Sequence, residues 1–219
     1  MALTKVRGKG LGTLGDGTAS DNSIIFDGNA QDFHIGLDDS ADSLTIGLGS
    51  TLGTTSHMVF DANGIITKPL QPSFLARAEE PGGEQSNMAE GTDVTIKFNI
   101  EVFDQNADYN NSTYTFTAPV TGKYQFQCCV RLQQIDTDSS YIIMYMNTSN
   151  KKYFNIIDTN DMFSSDPSFY TFPPLVILAD MDAGDTAKVD FFQNGGSAQV
   201  DLGTSTGDNP SFFSGYLVC

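Results

Sequence analysis

Residues 122–132 alternate with a period of two. Tyr124, Phe126, Cys128 and Val130 point one way, and Gln125, Gln127, Cys129 and Arg131 point the other. Successive side chains leave an extended backbone on opposite sides, so this is a strand with one buried face. A strand does not stand alone. The run therefore commits the chain to a sheet with a second layer over its apolar side. Further strand-like stretches occupy 73–77, 94–103, 113–117, 141–146, 153–157, 169–178, 185–192 and 212–218, with turn-forming residues between them. Helical periodicity is nearly absent. This pattern predicts an all-β sandwich or barrel after residue 69.

The first third follows other rules. It holds 11 of the 21 glycines in residues 1–70, and none of the eight prolines precedes Pro69. The joint is TKPLQP (67–72), a stiff two-proline segment. The expected organisation is an arm (1–20), a repetitive β stem (21–68) and a head (69–219). Short strands are expected at 23–26, 33–37, 44–48, 57–60 and 64–67. One phrase is said twice there: Phe33-His34-Ile35-Gly36-Leu37 returns as Leu44-Thr45-Ile46-Gly47-Leu48. Strands this short bury little alone and gain a core by stacking on neighbours or on other copies of the chain.

Charge narrows the partners. The formal net charge is −16, from 27 acids against 11 bases, which excludes a nucleic-acid partner that would need clustered Lys and Arg. No apolar run approaches the ~18 residues of a membrane span, and no signal segment opens the chain. The expectation is a soluble protein made in a cytoplasm, without membrane insertion. Cys128, Cys129 and Cys219 form no disulfide framework.

One spacing in the head is specific: Phe98, Asp104, Tyr109, Phe116, Gly122, Tyr124 and Phe126, densest in FTAPVTGKYQF (116–126). With MDAGDTAKVDFF (181–192) and the closing FFSGYLV (212–218), it resembles the complement C1q family of globular heads, relatives of the tumour-necrosis-factor fold. The resemblance spans about residues 72–219. It implies a ten-stranded jelly roll that assembles as a threefold homotrimer. Cys128 departs from it, standing where the family usually has an aromatic residue. A trimer would also complete the stem, with Ile35, Leu37, Ile46 and Leu48 supplying apolar area and the glycines letting three chains approach. No Gly-X-Y stalk is present. A β stem ending in a binding head resembles the short trimeric fibres of tailed bacteriophages.

Catalysis finds little footing. Both histidines, His34 and His57, lie in the stem, so the head holds no Ser-His-Asp or Cys-His system. Gly10, Gly12 and Gly15 spell a GxGxxG with no strand before it, and Thr121-Gly122-Lys123 lacks the rest of a phosphate loop. His34 reads as a packed or solvent-facing histidine before a metal ligand on a trimer axis. Asp136 and Asp138 read as a hairpin turn, and Asp180-x-Asp182-x-Gly184 has its glycine one place early for a calcium loop. Asp158, Asp161 and Asp166 in DTNDMFSSD (158–166) read as a solvated acidic loop before a calcium site; no cofactor is required, and calcium is the one these acids would suit. Some members of the resembled family hold calcium at the trimer apex with acids eight residues apart, as Asp158 and Asp166 are.

The sequence is therefore read as a non-enzymatic virion appendage on a phage tail or capsid. Its arm, with Lys5, Arg7 and Lys9, would anchor to a larger virion component, and its head would bind a host-surface glycan or protein. The second reading is a non-viral C1q-like recognition or lectin module. The third is a polysaccharide hydrolase.

Overall fold

In a computed structural model that describes residues 14–204 and 210–219, the alternating stretch around Tyr124 is the second strand of a sheet. The chain divides into two units, Met1–Gln71 and Pro72–Cys219. The first contains β1 (Asn22–Phe26), β2 (Phe33–Asp38), β3 (Ser43–Leu48), β4 (Ser56–Phe60) and β5 (Ile66–Thr67). The second contains β6 (Ser73–Arg77), β7 (Val94–Thr95), β8 (Ile100–Asp104), β9 (Tyr109–Asn110), β10 (Thr115–Thr117), β11 (Gly122–Cys129) and β12 (Arg131–Gln133). It continues through β13 (Tyr141–Thr148), β14 (Lys152–Ile157), a one-turn helix α1 (Thr159–Met162), β15 (Phe169–Thr171), β16 (Leu175–Met181), β17 (Thr186–Asn194), β18 (Asp201–Leu202) and β19 (Phe212–Leu217).

The second unit is a jelly-roll sandwich. One sheet runs β16-β11-β19-β6-β8 and the other β14-β13-β17-β10-β9, with β7 also paired to β17. The first and last strands of the unit, β6 and β19, lie side by side. Where the two layers meet, Phe74 stacks on Tyr109 (4.9 Å) and Phe116 (5.0 Å) and meets Phe213 edge-on (4.9 Å). Phe116 also touches Tyr124 and Phe126. Each buried ring contributes roughly 2–3 kcal/mol by leaving water. The Tyr109 hydroxyl stays satisfied by donating to the Phe98 carbonyl (2.9 Å). Cys128 is a small core residue, and burial pushes its thiol up to about 12.

Three expected strands are broken. Residues 94–103 divide into β7 and β8 on different sheets, and the buried Ile96 and Phe98 mark the crossing. Residues 122–132 and 169–178 break side by side, at Val130 and at Phe172-Pro173-Pro174. Two consecutive prolines have no N–H to give a ladder, so pairing stops there. Beyond the break β15-β12-β18 forms its own three-stranded sheet.

The first unit is a five-stranded antiparallel meander in sequence order. The repeated phrase pairs with its own copy: Phe33 faces Leu48, Ile35 faces Ile46 and Leu37 faces Leu44. Gly36 and Gly47 lie on the other side, and the space they leave is filled by this chain. A Cβ on Gly36 would come within 2.5 Å of the Asn22 carbonyl, and one on Gly47 within 2.2 Å of the Thr55 carbonyl and 2.7 Å of the His34 ring. The expectation that these glycines admit neighbouring chains is corrected. Alternation turns them away from the isoleucines.

At Gly215 the sandwich leaves no room for a side chain. A Cβ there would sit 2.4 Å from Phe126 and 2.9 Å from Phe74. Gly215→Ala should cost about 1–3 kcal/mol through overpacking. Urea unfolding followed by tyrosine fluorescence should show a lower midpoint with an unchanged slope.

Candidate functional site

The alternation that fills the sandwich also decides what each sheet presents outward. On β16-β11-β19-β6-β8 the outward side chains form cross-strand rows. Leu178 lies opposite Gln125, which lies opposite Tyr216 and then Ser73; the next row is Val176, Gln127, Ser214, Leu75 and Phe103. Leu178 is 59% exposed, and Val176, Tyr216, Val102 and Phe103 are exposed with it. The Tyr216 hydroxyl donates to the Gln125 side-chain carbonyl (3.1 Å). A shallow cavity of about 670 Å³ opens on this face, lined among others by Leu75, Arg77, Phe103, Gln127 and Tyr216. Charges stand at its margins, as the Lys123–Asp180 (2.5 Å) and Arg77–Glu79 (2.6 Å) pairs. Apolar side chains with uncharged hydrogen-bonding groups between them suit a protein surface better than a small ion.

The opposite sheet shows a smaller apolar patch. Phe154 and Ile156 are exposed, Tyr145 meets Phe154 edge-on (5.8 Å), and Tyr141 stacks on Phe192 (6.3 Å). Lys152 lies 4.7 Å over Tyr145 and pairs with Asp93 at 2.5 Å. The bond to Asp93 raises the Lys152 ammonium above its usual range.

The acids singled out for calcium are placed as follows. Asp158 caps α1 by accepting from the Asp161 N–H (3.3 Å). Asp166 accepts from the Thr137 N–H (2.9 Å) and from its hydroxyl, which hold its carboxyl below the usual range. Asp161 is exposed. Within one chain these three do not make a cation cage, and no three acidic, histidine or cysteine side chains form a metal-holding group among the described residues.

Other candidate acids are structural. Asp136 is buried and accepts from the N–H groups of Asp138 (2.9 Å), Ser197 (2.6 Å) and Ala198 (2.8 Å), tying two loops together. In the turn after β16, Asp185 accepts from the Asp182 N–H (2.8 Å) and the Ser149 hydroxyl (2.8 Å), which lower its carboxyl pKa, while Gly184 takes φ +92°.

In the first unit, His34 is buried on the glycine side with Nδ1 3.0 Å from the Gly49 carbonyl, as a packed histidine would be. Ile35, Leu37, Ile46 and Leu48 share the other side. Lys5, Arg7 and Lys9 lie outside the described residues, as do Gly10 and Gly12. Sequence reasoning missed the outward rows that hold Leu178, Tyr216 and Leu75. The available signal was that predicted strands in this half carry apolar residues at their outward positions as well.

Residues 82–218 match the profile of the C1q domain. Among solved structures, the globular domain of zebrafish complement C1qA is similar at 17% identity, covering 68% of this chain and 98% of that one, with a TM-score of 0.47. Murine APRIL follows at 12% identity, 68% and 99% coverage and a TM-score of 0.45. Eiger TNF from S. frugiperda stands at 9% identity, 68% and 94% coverage and a TM-score of 0.44. No curated protein sequence matches the chain.

Asp136 gives the sharpest structural test. Asp136→Asn keeps the shape but must turn an amide N–H₂ or leave bonds unmade against three backbone donors. It should destabilise by about 1–3 kcal/mol, and calorimetry should show the same drop in Tm relative to the wild type with and without added calcium.

Proposed function

This chain belongs to the C1q domain family, and from that footing we propose that it is a homotrimeric, non-enzymatic recognition module carried on a short fibre. In this reading the head sheet β16-β11-β19-β6-β8 turns its apolar rows toward two other copies. The patch of Tyr145, Phe154 and Ile156 on the opposite sheet stays outward, where it is available to a host-surface glycan or protein. The first unit serves as the stem, and the arm with Lys5, Arg7 and Lys9 joins the fibre to a tailed-phage virion.

The observation that carries the reading is the pair of outward rows that hold Val176, Leu178 and Tyr216, exposed on a sheet whose other face packs the core. Exposed apolar area of that extent costs solubility unless a partner covers it. A closed threefold ring covers it on every copy at once. The virion assignment is supported by the acidic β unit that precedes the head in sequence, where no collagen-like repeat occurs. A non-viral recognition or lectin module would share the same head and differ in what the arm joins.

Light scattering on the purified chain should give about three times its 23.6 kDa mass. Leu178→Asp should lower the mass to that of a single chain with an intact circular-dichroism spectrum, because an exposed position contributes little to the fold itself. A wild-type monomer would refute the homotrimer. Peptides of this chain in purified phage particles would support the virion assignment, and glycan binding by a protein absent from particles would favour the non-viral module. A calcium ion shared between copies through Asp158 and Asp166 would make chelation lower the Tm. An unchanged Tm would remove calcium from the account.

A further inference from the structure

The first unit has one closed face and one open face. On the closed side His34, Asp38, Ser43 and Thr45 are buried. The segment before β4 folds back there, the Leu48 N–H donating to the Thr55 carbonyl (2.9 Å) and the Gly49 N–H to the Asp32 carbonyl (2.8 Å). On the open side the register draws three rows across the sheet. The middle row is Ile24, Ile35, Ile46 and Met58; one flank carries Leu37, Leu44, Phe60 and Ile66, the other Phe26, Phe33 and Leu48. Ile24, Phe26, Phe33, Leu37, Leu44 and Ile66 are exposed there.

We infer that this open face is a self-association surface, closed by the same face of two further copies so that three sheets form a three-sided prism. The inference rests on the homotrimeric reading of the head, which would tether three such sheets together at roughly millimolar effective concentration.

Three further arguments select a copy of this chain as the occupant. The first is charge. The unit carries eight Asp between residues 11 and 67 and no Lys, Arg or Glu, so any self-contact risks repulsion. Yet the acids lie in the connecting segments or on the closed side. Asp61 accepts from the N–H groups of Asn63 (2.9 Å) and Ile65 (2.8 Å), Asp38 from Ala41 (3.2 Å), Asp32 from Gly28 (3.1 Å) and Asp21 from Asp39 (3.0 Å). The three rows hold no acid, and His57, 6.0 Å from Phe33, is the titratable side chain at their edge.

The second is area. Eleven large apolar side chains, six exposed and five partly buried, offer an area on the order of the ~800 Å² that each partner of a standard interface buries.

The third is shape. Five strands about 4.8 Å apart span about 19 Å, and five or six residues at about 3.3 Å reach nearly the same length along the strands. An equilateral prism of that side has its axis about 5.5 Å from each sheet, close to half the ~10 Å at which packed sheets interdigitate. At that distance the side chains of all three sheets reach the common axis.

The test uses the full chain with Cys219→Ser and one new thiol at a time. Leu37→Cys lies on the open face and Ile25→Cys on the other; the native residues are 45% and 36% exposed in the single chain. Alkylation by a maleimide is followed by mass spectrometry on samples whose mass is set by light scattering. Closure predicts trimer mass with Leu37→Cys reacting at least about tenfold more slowly than Ile25→Cys, because reactivity follows access. Equal rates at trimer mass would overturn the prism and leave the trimeric head standing. A monomer mass would overturn the head reading, and slow Leu37→Cys alkylation in that monomer would overturn copies as the occupant. Protection at dimer mass would overturn the threefold closure.

Discussion

The head depends on the place where Phe74, Phe126 and the backbone of Gly215 meet. Only a residue without a side chain lets the two rings approach the β19 backbone so closely. Phe74 carries that contact onward to Tyr109 and Phe116 on the facing sheet. Once these rings fix which side of β6, β11 and β19 looks inward, the outward side is fixed too, since a strand has only two. Core and interaction surface are therefore one decision. A register slip that unpacked Phe126 would bury Gln125 and Gln127 and break up the row ending in Tyr216.

The sequence showed the parts of the fold that burial alone determines. Alternation located the longer strands of both units and placed Tyr124, Phe126, Cys128 and Val130 on a buried face, where they are. It could not show where an alternating run changes partners. Residues 94–103 read as one strand, yet they cross from one sheet to the other, and only the partners β17 and β6 reveal it. Residues 169–178 also read as one strand although Pro173-Pro174 carried the signal for a break, and the matching break at Val130 follows because the two segments run side by side.

The acids were harder to read. An Asp that caps a helix or closes a turn uses the same oxygen lone pairs that would hold a cation, so Asp158, Asp166 and Asp185 have one appearance in sequence and another in place. The glycines were legible as positions of close approach but not as to what approaches. The acidity of the first unit also acquires a local cause, because an Asp side chain is short enough to reach the N–H groups of its own turn, which a Glu is not suited to do.

The adjacency of β6 and β19 joins the opening of the head to its final residues, whereas each strand of the meander pairs only with its immediate successor. Synthesis runs from one end, so the two units mature on different clocks. The meander is complete as soon as Thr67 clears the ribosome, while the sandwich waits for Phe212–Leu217. Between those two points an emerging chain carries a finished apolar sheet and an unfinished head. Chains on neighbouring ribosomes of one message are in that state together.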